Sequence, residues 1–249
     1  MIKLKTEEEI DRIRESCRLL AGTHDKLAEL VDEGITTREL DSFARNYIEN
    51  NGGTPAFLHY MGYPASLCTS VNDVVIHGIP DDRKLKKGDI VSLDLGIDLG
   101  GYFSDSARTH IVGSVPGDVR KLVDVTKECL YRGIEQAKVG NRIHHISAAV
   151  YDHAAAHGFG VVRDYCGHGV GLSQHEDPQI PNYVSRGTNP RIKAGMVLAI
   201  EPMINLGTGR VVLLDDDWTV KTADGSLSAH WEHTIAVFRD HTEILTVSD

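Results

Sequence analysis

Two stretches near the start of the chain place hydrophobic residues at the three- and four-residue spacing of an amphipathic helix. The first follows the capping-box pair Thr6 and Glu9, and the second follows the pair Thr36 and Glu39. The apolar positions are Ile10, Ile13, Cys17 and Leu20 in the first stretch, and Leu40, Phe43, Ala44, Tyr47 and Ile48 in the second. Because Gly52-Gly53 interrupts the pattern, we predict that the second helix ends there.

The pattern then changes from helical to extended. Residues 54–80 are rich in aromatic residues, glycine and proline, which predicts loops or short strands. Residues 88–98 are apolar and β-branched, Gly100-Gly101 marks a turn, and residues 102–112 form the predicted hairpin partner. A similar order of helices and then strands follows. Its predicted elements are helices over 119–137 and 143–157, and strands and turns from 161 onward.

Each half of the chain contains the same short pattern, in which an acid ends an apolar strand. Gly88-Asp-Ile-Val-Ser-Leu-Asp94 matches Gly195-Met-Val-Leu-Ala-Ile-Glu201. A second acid follows on a later strand of each half, Asp105 in the first and Glu232 in the second. We interpret the echo as a duplicated αβ unit with pseudo-two-fold symmetry.

Composition narrows the class of protein. The chain has 249 residues and a formal net charge of −10, which disfavours nucleic acid as the main partner because phosphate binding needs a basic face. No apolar stretch approaches the ~20 residues that span a bilayer, and the acidic N-terminal sequence does not resemble a secretory signal. The four cysteines are widely spread, so we expect reduced thiols in a cytoplasmic protein.

The strand acids are the clearest sign of chemistry. Asp94 and Glu201 lie in apolar sequence with no lysine or arginine in the same strand, and a buried unpaired carboxylate is costly. For either acid alone, the alternative is a strand end that reaches solvent or a distant arginine. Four converging acids favour divalent cations, which turn repulsion into shared coordination. His168, in a Gly-His-Gly-x-Gly setting, is a candidate nitrogen ligand, with a surface turn histidine as the alternative.

The ordered set Asp94, Asp105, His168, Glu201 and Glu232 resembles the five metal ligands of type I methionine aminopeptidases. The sequences around these positions are similar too. They are Val75-Ile-His-Gly-Ile-Pro80, Cys166-Gly-His-Gly-Val-Gly171, Ala199-Ile-Glu-Pro-Met-Ile204 and Glu232-His-Thr-Ile235. The resemblance extends over nearly the whole chain.

This resemblance implies an α+β architecture, the pita-bread fold. In that fold, pseudo-two-fold duplicated αβ halves share a central curved antiparallel sheet, and helices cover the outer face of the sheet. We expect residues 1–249 to form a single catalytic metallo-aminopeptidase domain, with approximate halves 1–115 and 116–249. The implied fold agrees with the duplication read from the acid-ending strands.

The resemblance also implies an activity and its cofactors. The family removes the N-terminal methionine of nascent proteins and peptides when the next residue is small. It uses two divalent cations, Co, Mn, Fe or Zn, to activate water for attack on the first peptide bond. By resemblance, Asp94 holds one cation, His168 and Glu201 hold the other, and Asp105 and Glu232 bridge both. Glu201 is also expected to handle the proton of the attacking water.

Further site residues follow from the same resemblance. His77 and His175 are the expected non-ligand histidines, donating to the substrate carbonyl oxygen or the scissile nitrogen; loop histidines bonded to backbone are the alternative. The expected pocket for the substrate's first side chain is apolar, with ordinary core packing as the alternative. Besides the two histidines, the candidate substrate-binding residues are Phe57, Tyr60, Tyr63, Cys68 and Trp218.

Two positions depart from the family pattern. Gln174 stands where the family usually has phenylalanine, and His230 stands where it usually has glutamine. On a strand, residues two apart point to the same face, so His230 is expected beside Glu232 and the metals. Gln174 is expected to make the substrate pocket more polar.

Two other functions stay open at this point. One is a proline-specific aminopeptidase or dipeptidase of the same fold, which usually carries an additional N-terminal domain. The other is a non-catalytic relative that binds the ribosome or RNA, a class that loses metal ligands. We expect a monomer that acts on nascent N-termini and short peptides, without a membrane or a direct nucleic-acid function. The basic run at 83–87 is a candidate ribosome contact, with a solvated loop face as the alternative.

Overall fold

The computed structural model describes residues 1–248. Its helices are α1 (Glu7–Leu30), α2 (Thr37–Asn50), α3 (Gly117–Gln136) and α4 (Ile143–Ala156). Both predicted capping boxes are formed: the side chain of Thr6 accepts from the Glu9 amide and that of Thr36 accepts from the Glu39 amide, and each glutamate reciprocates. These contacts satisfy amide groups that a helix start would otherwise leave unpaired, which explains why the two helices begin where the sequence predicts.

Residues 1–248 also form fifteen strands. In the first half they are β1 (Thr54–Pro55), β2 (Cys68–Val71), β3 (Val74–Ile76), β4 (Ile90–Asp98) and β5 (Phe103–Ile111). In the second half they are β6 (Gly160–Val161), β7 (Cys166–Gly169), β8 (Glu176–Pro181), β9 (Val197–Ile200), β10 (Met203–Asn205), β11 (Val211–Leu213), β12 (Val220–Thr222), β13 (Ser228–His230), β14 (His233–Val237) and β15 (Thr242–Ile244). The predicted hairpin is confirmed as β4 and β5.

Two larger antiparallel sheets form the centre of the molecule. In one, β4 pairs with β5, β1 and β2; the other has the order β15-β14-β9-β7-β8. They meet where β5 lies beside β14. At this junction the Thr234 hydroxyl donates to the carbonyl oxygen of Asp105 at 2.7 Å, and the Glu232 amide donates to that of Ala107 at 2.9 Å. The contacts connect β5, which carries Asp105, with β14 and with Glu232 just before it.

The helices pack outside the two sheets. Helix α1 lies against β4 and β5 and α2 against β1 and β2, whereas α3 and α4 pack together against strands of the second half. One apolar cluster joins Ile10 and Ile13 of α1 to Val197 and Ala199 of β9. Because such clusters contain residues of both halves, their burial holds the two sheets in one fixed arrangement. Within residues 1–248, no helix is both long enough and apolar enough to cross a membrane.

Candidate metal centre

Strand register brings the first two acids together. Asp94 lies on β4 opposite Ala107, and Asp105 lies on β5 opposite Gly96. Opposed residues of an antiparallel pair share a face, as do alternate residues of one strand. Both carboxylates therefore project from the same face of the hairpin, which explains why an eleven-residue separation in sequence becomes a contact distance in the fold.

The second half supplies the remaining ligand candidates. His168 lies on β7 opposite Ala199 of β9, Glu201 follows β9 directly, and Glu232 lies between β13 and β14. The Nε2 atom of His168 is 3.6 Å from Oδ2 of Asp105 and 3.5 Å from Oε1 of Glu201. Potential ligand atoms of Asp105, His168 and Glu232 all lie within 4.8 Å of one another. All five predicted ligands line one cavity of about 350 Å³.

The donor atoms of this cavity fit divalent cations. Asp94 Oδ1, Asp105 Oδ1 and Glu232 Oε1 are buried and have no hydrogen-bond partner. His168 donates from Nδ1 to the carbonyl oxygen of Gly169 at 2.9 Å, so the lone pair of its Nε2 faces the acids. Unpaired buried carboxylate oxygens are costly unless a cation neutralises them, and carboxylates with an imidazole suit Mn, Fe, Co or Zn.

Burial also changes the protonation of the acids. Burial raises the pKa of Asp94 to about 7. Burial first, and repulsion from neighbouring carboxylates second, raise the pKa values of Asp105, Glu201 and Glu232 well above the ordinary value. Burial and mutual repulsion thus favour the protonated forms of these acids when no cation is present, and a bound cation competes with those protons.

His77 lies at the edge of the same cavity. Its backbone is left-handed, with φ 58°, and its ring packs edge-on against Tyr165 and Trp218 at centroid distances of 5.8 and 6.0 Å. Burial, and then the neighbouring His175, lower the pKa of His77 to about 4. The ring is therefore neutral at neutral pH and retains one N–H that can donate a hydrogen bond.

His175 also lines the cavity and is exposed. Its Nδ1 is 3.0 Å from the Tyr60 hydroxyl, and its ring stacks on the Tyr60 ring at a centroid distance of 5.4 Å. The centroids of the His175 and His168 rings are 4.2 Å apart. Both expected non-ligand histidines thus border the candidate metal centre.

A buried ion pair holds the segment that carries His175. The Lys5 ammonium lies 2.7 Å from Oε2 of Glu176, and both side chains are at most 3 % exposed. The other oxygen of Glu176 accepts from the amides of Leu172 and Ser173 at 2.7 and 3.1 Å. Sequence reasoning missed this arrangement, since nothing in the local pattern links the fifth residue to the 176th.

The expected side-chain pocket is also formed. All five aromatic and sulfur candidates, Phe57, Tyr60, Tyr63, Cys68 and Trp218, line the cavity beside the acids. Tyr63 and Trp218 pack edge to face at 5.1 Å. The cavity has one further apolar residue, Met61, which sequence reasoning missed because a single methionine in an irregular loop carries no periodic signal.

The two departures from the family pattern have different surroundings. His230 lies beside the acids as expected, with its Nε2 3.7 Å from Oε2 of Glu201. Gln174 is buried, and its Nε2 donates to Oδ2 of Asp105 at 2.5 Å. Gln174 does not line the cavity wall. The expectation that it makes the substrate pocket more polar is therefore replaced by a contact with the proposed metal ligand Asp105. A Cβ at Gly96 would lie 2.9 Å from the Gln174 amide, so this glycine leaves the space that Gln174 fills.

Comparison with known proteins agrees with a metal-binding function for the cavity. The model of "Metallopeptidase family M24" matches residues 11–238. A methionine aminopeptidase of Treponema pallidum is 53% identical over 247 residues, which cover 99% of this chain and 96% of the relative. The crystal structure of methionine aminopeptidase from Rickettsia prowazekii matches with a TM-score of 0.97 at 42% identity, covering 99% of this chain and 100% of that one.

A prolidase from Pyrococcus furiosus matches with a TM-score of 0.80 at 25% identity, and the match covers 99% of this chain but 66% of the prolidase. The pita-bread fold is thereby confirmed, since methionine aminopeptidase and prolidase structures are both neighbours. The methionine aminopeptidases match with higher identity and with nearly complete coverage of both chains. This favours methionine removal over the proline-specific and non-catalytic alternatives. The chain therefore belongs to metallopeptidase family M24 and groups with its methionine aminopeptidases.

Proposed function

We propose that this protein removes the N-terminal methionine from peptides and proteins whose second residue is small. The observation that carries the proposal is one cavity in which four carboxylates, three of them buried, and an imidazole meet an apolar wall of aromatic and sulfur side chains. The acids and imidazole supply a site for hydrolysis. The wall supplies a surface on which a methionine side chain packs well.

Two divalent cations fit this ligand set. Asp94 would hold one, His168 and Glu201 the other, and Asp105 and Glu232 both. When bound, the cations supply positive charge that polarises the scissile carbonyl group and lowers the pKa of the attacking water. The unpaired oxygens of Asp94, Asp105 and Glu232 support this assignment.

Protein side chains then handle the proton and the substrate. Glu201 accepts the proton of the attacking water and delivers it to the leaving amine. Its side chain is 12% exposed to the cavity, compared with 4% for Asp105, so it is the more reachable of the two acids. His77 and His175, which both line the cavity, donate hydrogen bonds that orient the carbonyl oxygen and the scissile nitrogen.

The deciding experiment measures the free N-terminal amino acid released from each peptide, which is methionine from Met-Ala-Ser and Met-Lys-Ser and alanine from Ala-Pro-Ser. Protein stripped of metal is compared with protein supplied with Mn, Fe, Co or Zn, and Ala-Pro-Ser serves as the substrate of a proline-specific enzyme. We expect metal-dependent cleavage of Met-Ala-Ser alone. Cleavage of Ala-Pro-Ser in its place would establish the proline-specific alternative, and absence of bound metal would favour the non-catalytic one.

The role of Glu201 has its own test. Glu201→Gln keeps the size of the side chain and removes the acid. We expect the variant to lose most of its rate while some metal remains bound, because a carboxamide does not take up the proton. Rate and metal content are measured on the same sample; full activity with both cations bound would contradict the assignment.

The setting of the activity belongs to the same proposal. We infer that residues 1–249 act as one catalytic domain, which the apolar cluster joining α1 to β9 supports. We also infer a monomer that works in the cytoplasm on emerging N-termini. The run at 83–87 supports contact with the ribosome, because its four basic side chains are exposed while Leu85 anchors the segment in the core.

A further inference from the structure

A second group of metal-ligating side chains lies on the helical layer. Glu128 projects from α3, His153 from α4, and His157 caps the C-terminal end of α4. None of the three lines the central cavity. The mechanism above makes no use of them, and no part of the family pattern described above includes them.

Their geometry results from helical spacing. Residues four apart lie on one face of a helix, and His157 keeps helical backbone angles of φ −93° and ψ 0°. The two histidine rings are therefore neighbours, with centroids 4.8 Å apart. Across the helix pair, Nε2 of His153 is 2.7 Å from Oε2 of Glu128. Potential ligand atoms of all three side chains lie within 4.8 Å of one another.

We propose that Glu128, His153 and His157 bind a divalent transition cation, of the class of Zn²⁺ or Ni²⁺, which clamps α4 to α3. Two imidazoles with one carboxylate suit these cations, whereas Mg²⁺ and Ca²⁺ prefer oxygen ligands alone. Tetrahedral zinc with bonds of about 2.0–2.1 Å needs ligand atoms roughly 3.3 Å apart. The ligand atoms now lie within 4.8 Å of one another, so side-chain rotations that change their separations by at most about 1.5 Å would reach that spacing.

The surroundings favour a cation. The C-terminal end of α4 is the negative pole of its helix dipole, and His157 lies at that end. The adjacent groove at His153 is bordered by two acids, Glu135 and Asp152, and one base, Arg132. Together with Glu128 these groups carry three negative charges and one positive charge, and one further cation, Lys121, lies 5.6 Å over the ring of Phe159.

The site is also partly preorganised. The His153 side chain is 11% exposed and held between the helices, whereas the Glu128 side chain is 56% exposed and free to adjust. Behind His157, the ring of Phe159 stacks at 6.5 Å and 24°. An imidazole already fixed between the helices reduces the ordering cost of binding, and three protein ligands leave one tetrahedral position open to water.

The test counts zinc ions per chain. Apo protein is dialysed to equilibrium against zinc chloride and analysed by elemental mass spectrometry. The double variant His153→Gln and His157→Gln is compared with wild type and with the control variant His241→Gln, which removes an exposed histidine that also contacts a carboxylate, at 2.8 Å. Circular dichroism checks that each variant is folded.

We expect the double variant to bind one zinc ion fewer per chain than wild type, and the control to bind the same number as wild type. The difference does not depend on how many ions the catalytic cavity holds. Methionine release at saturating manganese is expected to be equal in all three proteins, and magnesium binding is expected to be the same in wild type and double variant.

Equal zinc content in wild type and double variant would overturn the proposal. So would loss of methionine release in parallel with the lost ion, because the counted ion would then belong to the cavity. As a second measurement, zinc is expected to raise the melting temperature of the wild type more than that of the double variant, since only the wild type gains the clamp between α3 and α4. Equal shifts would argue against it.

Discussion

At the scale of single residues, the hydrogen bond from Gln174 to Asp105 is the feature that distinguishes this cavity. The amide donates to an oxygen of a proposed bridging ligand, and the ligand's other oxygen is left without a protein partner. A donor behind a ligand fixes its orientation and leaves the free oxygen aimed at the metal. Gln174 therefore works through Asp105, and its own contact with substrate is unnecessary.

Replacing Gln174 with leucine removes that donor while keeping similar bulk. We expect metal affinity to fall by about 10- to 100-fold, the range typical for lost partners of metal ligands. Metal titration followed by methionine release measures this loss. Gln179→Leu, at an exposed position on β8, is the matched control and is expected to bind metal like wild type. Unchanged affinity in Gln174→Leu would show that Asp105 is oriented without the amide.

At the scale of elements, the segment before β8 depends on a residue at the other end of the sequence. Lys5 neutralises Glu176, and Glu176 in turn binds two backbone amides of the loop that carries His175. Burial lowers the pKa of Lys5, while the hydrogen bond and the charge of Glu176 act in the opposite direction. The position of a proposed catalytic histidine is thus tied to the chain preceding α1.

Lys5→Met leaves the Glu176 carboxylate buried without its counterion. Loss of one partner of such a pair typically costs about 3–5 kcal/mol, so we expect a large fall in the free energy of unfolding measured by urea denaturation. The additional substitution Glu176→Gln is expected to recover part of it. Lys3→Met, which removes an exposed lysine, serves as the control. A double variant no more stable than Lys5→Met would argue against the pair as the cause.

At the scale of the whole molecule, the acids of the cavity make the stability of the fold depend on whether metal is bound. Burial raises the pKa of Asp94 to about 7, whereas an unfolded aspartate titrates near pH 4. Between these values Asp94 binds more protons in the folded apo protein than in the unfolded chain, so its contribution to stability falls as pH rises. Bound cations replace the protons and remove this dependence.

The gap in melting temperature between metal-loaded and apo protein is therefore expected to widen from pH 5.5 to pH 8. Thermal denaturation at both pH values, with and without a chelator, measures it. In Asp94→Asn the gap in melting temperature is expected to increase less between these two pH values, because the asparagine side chain does not titrate. Asp124→Asn, on the exposed side of α3, is expected to behave like wild type. A gap that is constant with pH would contradict the protonation assigned to the apo cavity.

Much of this arrangement was accessible from sequence because it is encoded locally. The capping boxes at Thr6 and Thr36 set the first two helices, and the run before Asp94 with its turn set the β4–β5 hairpin. The resemblance assigned the five ligands and the two histidines, and the cavity contains all seven. Their roles in catalysis stay predictions.

The remainder depends on contacts between distant residues. The pairing of Lys5 with Glu176 and of Gln174 with Asp105 links positions that are far apart in sequence and share no pattern. Strands of two or three residues, such as β10 to β13, are too short to show a periodicity, so the sequence indicated only strands and turns there. Met61 lines the cavity from an irregular loop. Because such a loop has no periodic pattern, the sequence did not indicate this residue.

The junction of β5 with β14 also bears on the origin of the molecule. One half contributes Asp94 and Asp105, and the other contributes His168, Glu201 and Glu232, so neither contains a complete centre. An ancestor consisting of a single unit would have needed two identical chains, associated about a two-fold axis, to assemble one. Fusion of two such copies would have allowed their sequences to diverge, so that a histidine ligand could arise in one half only.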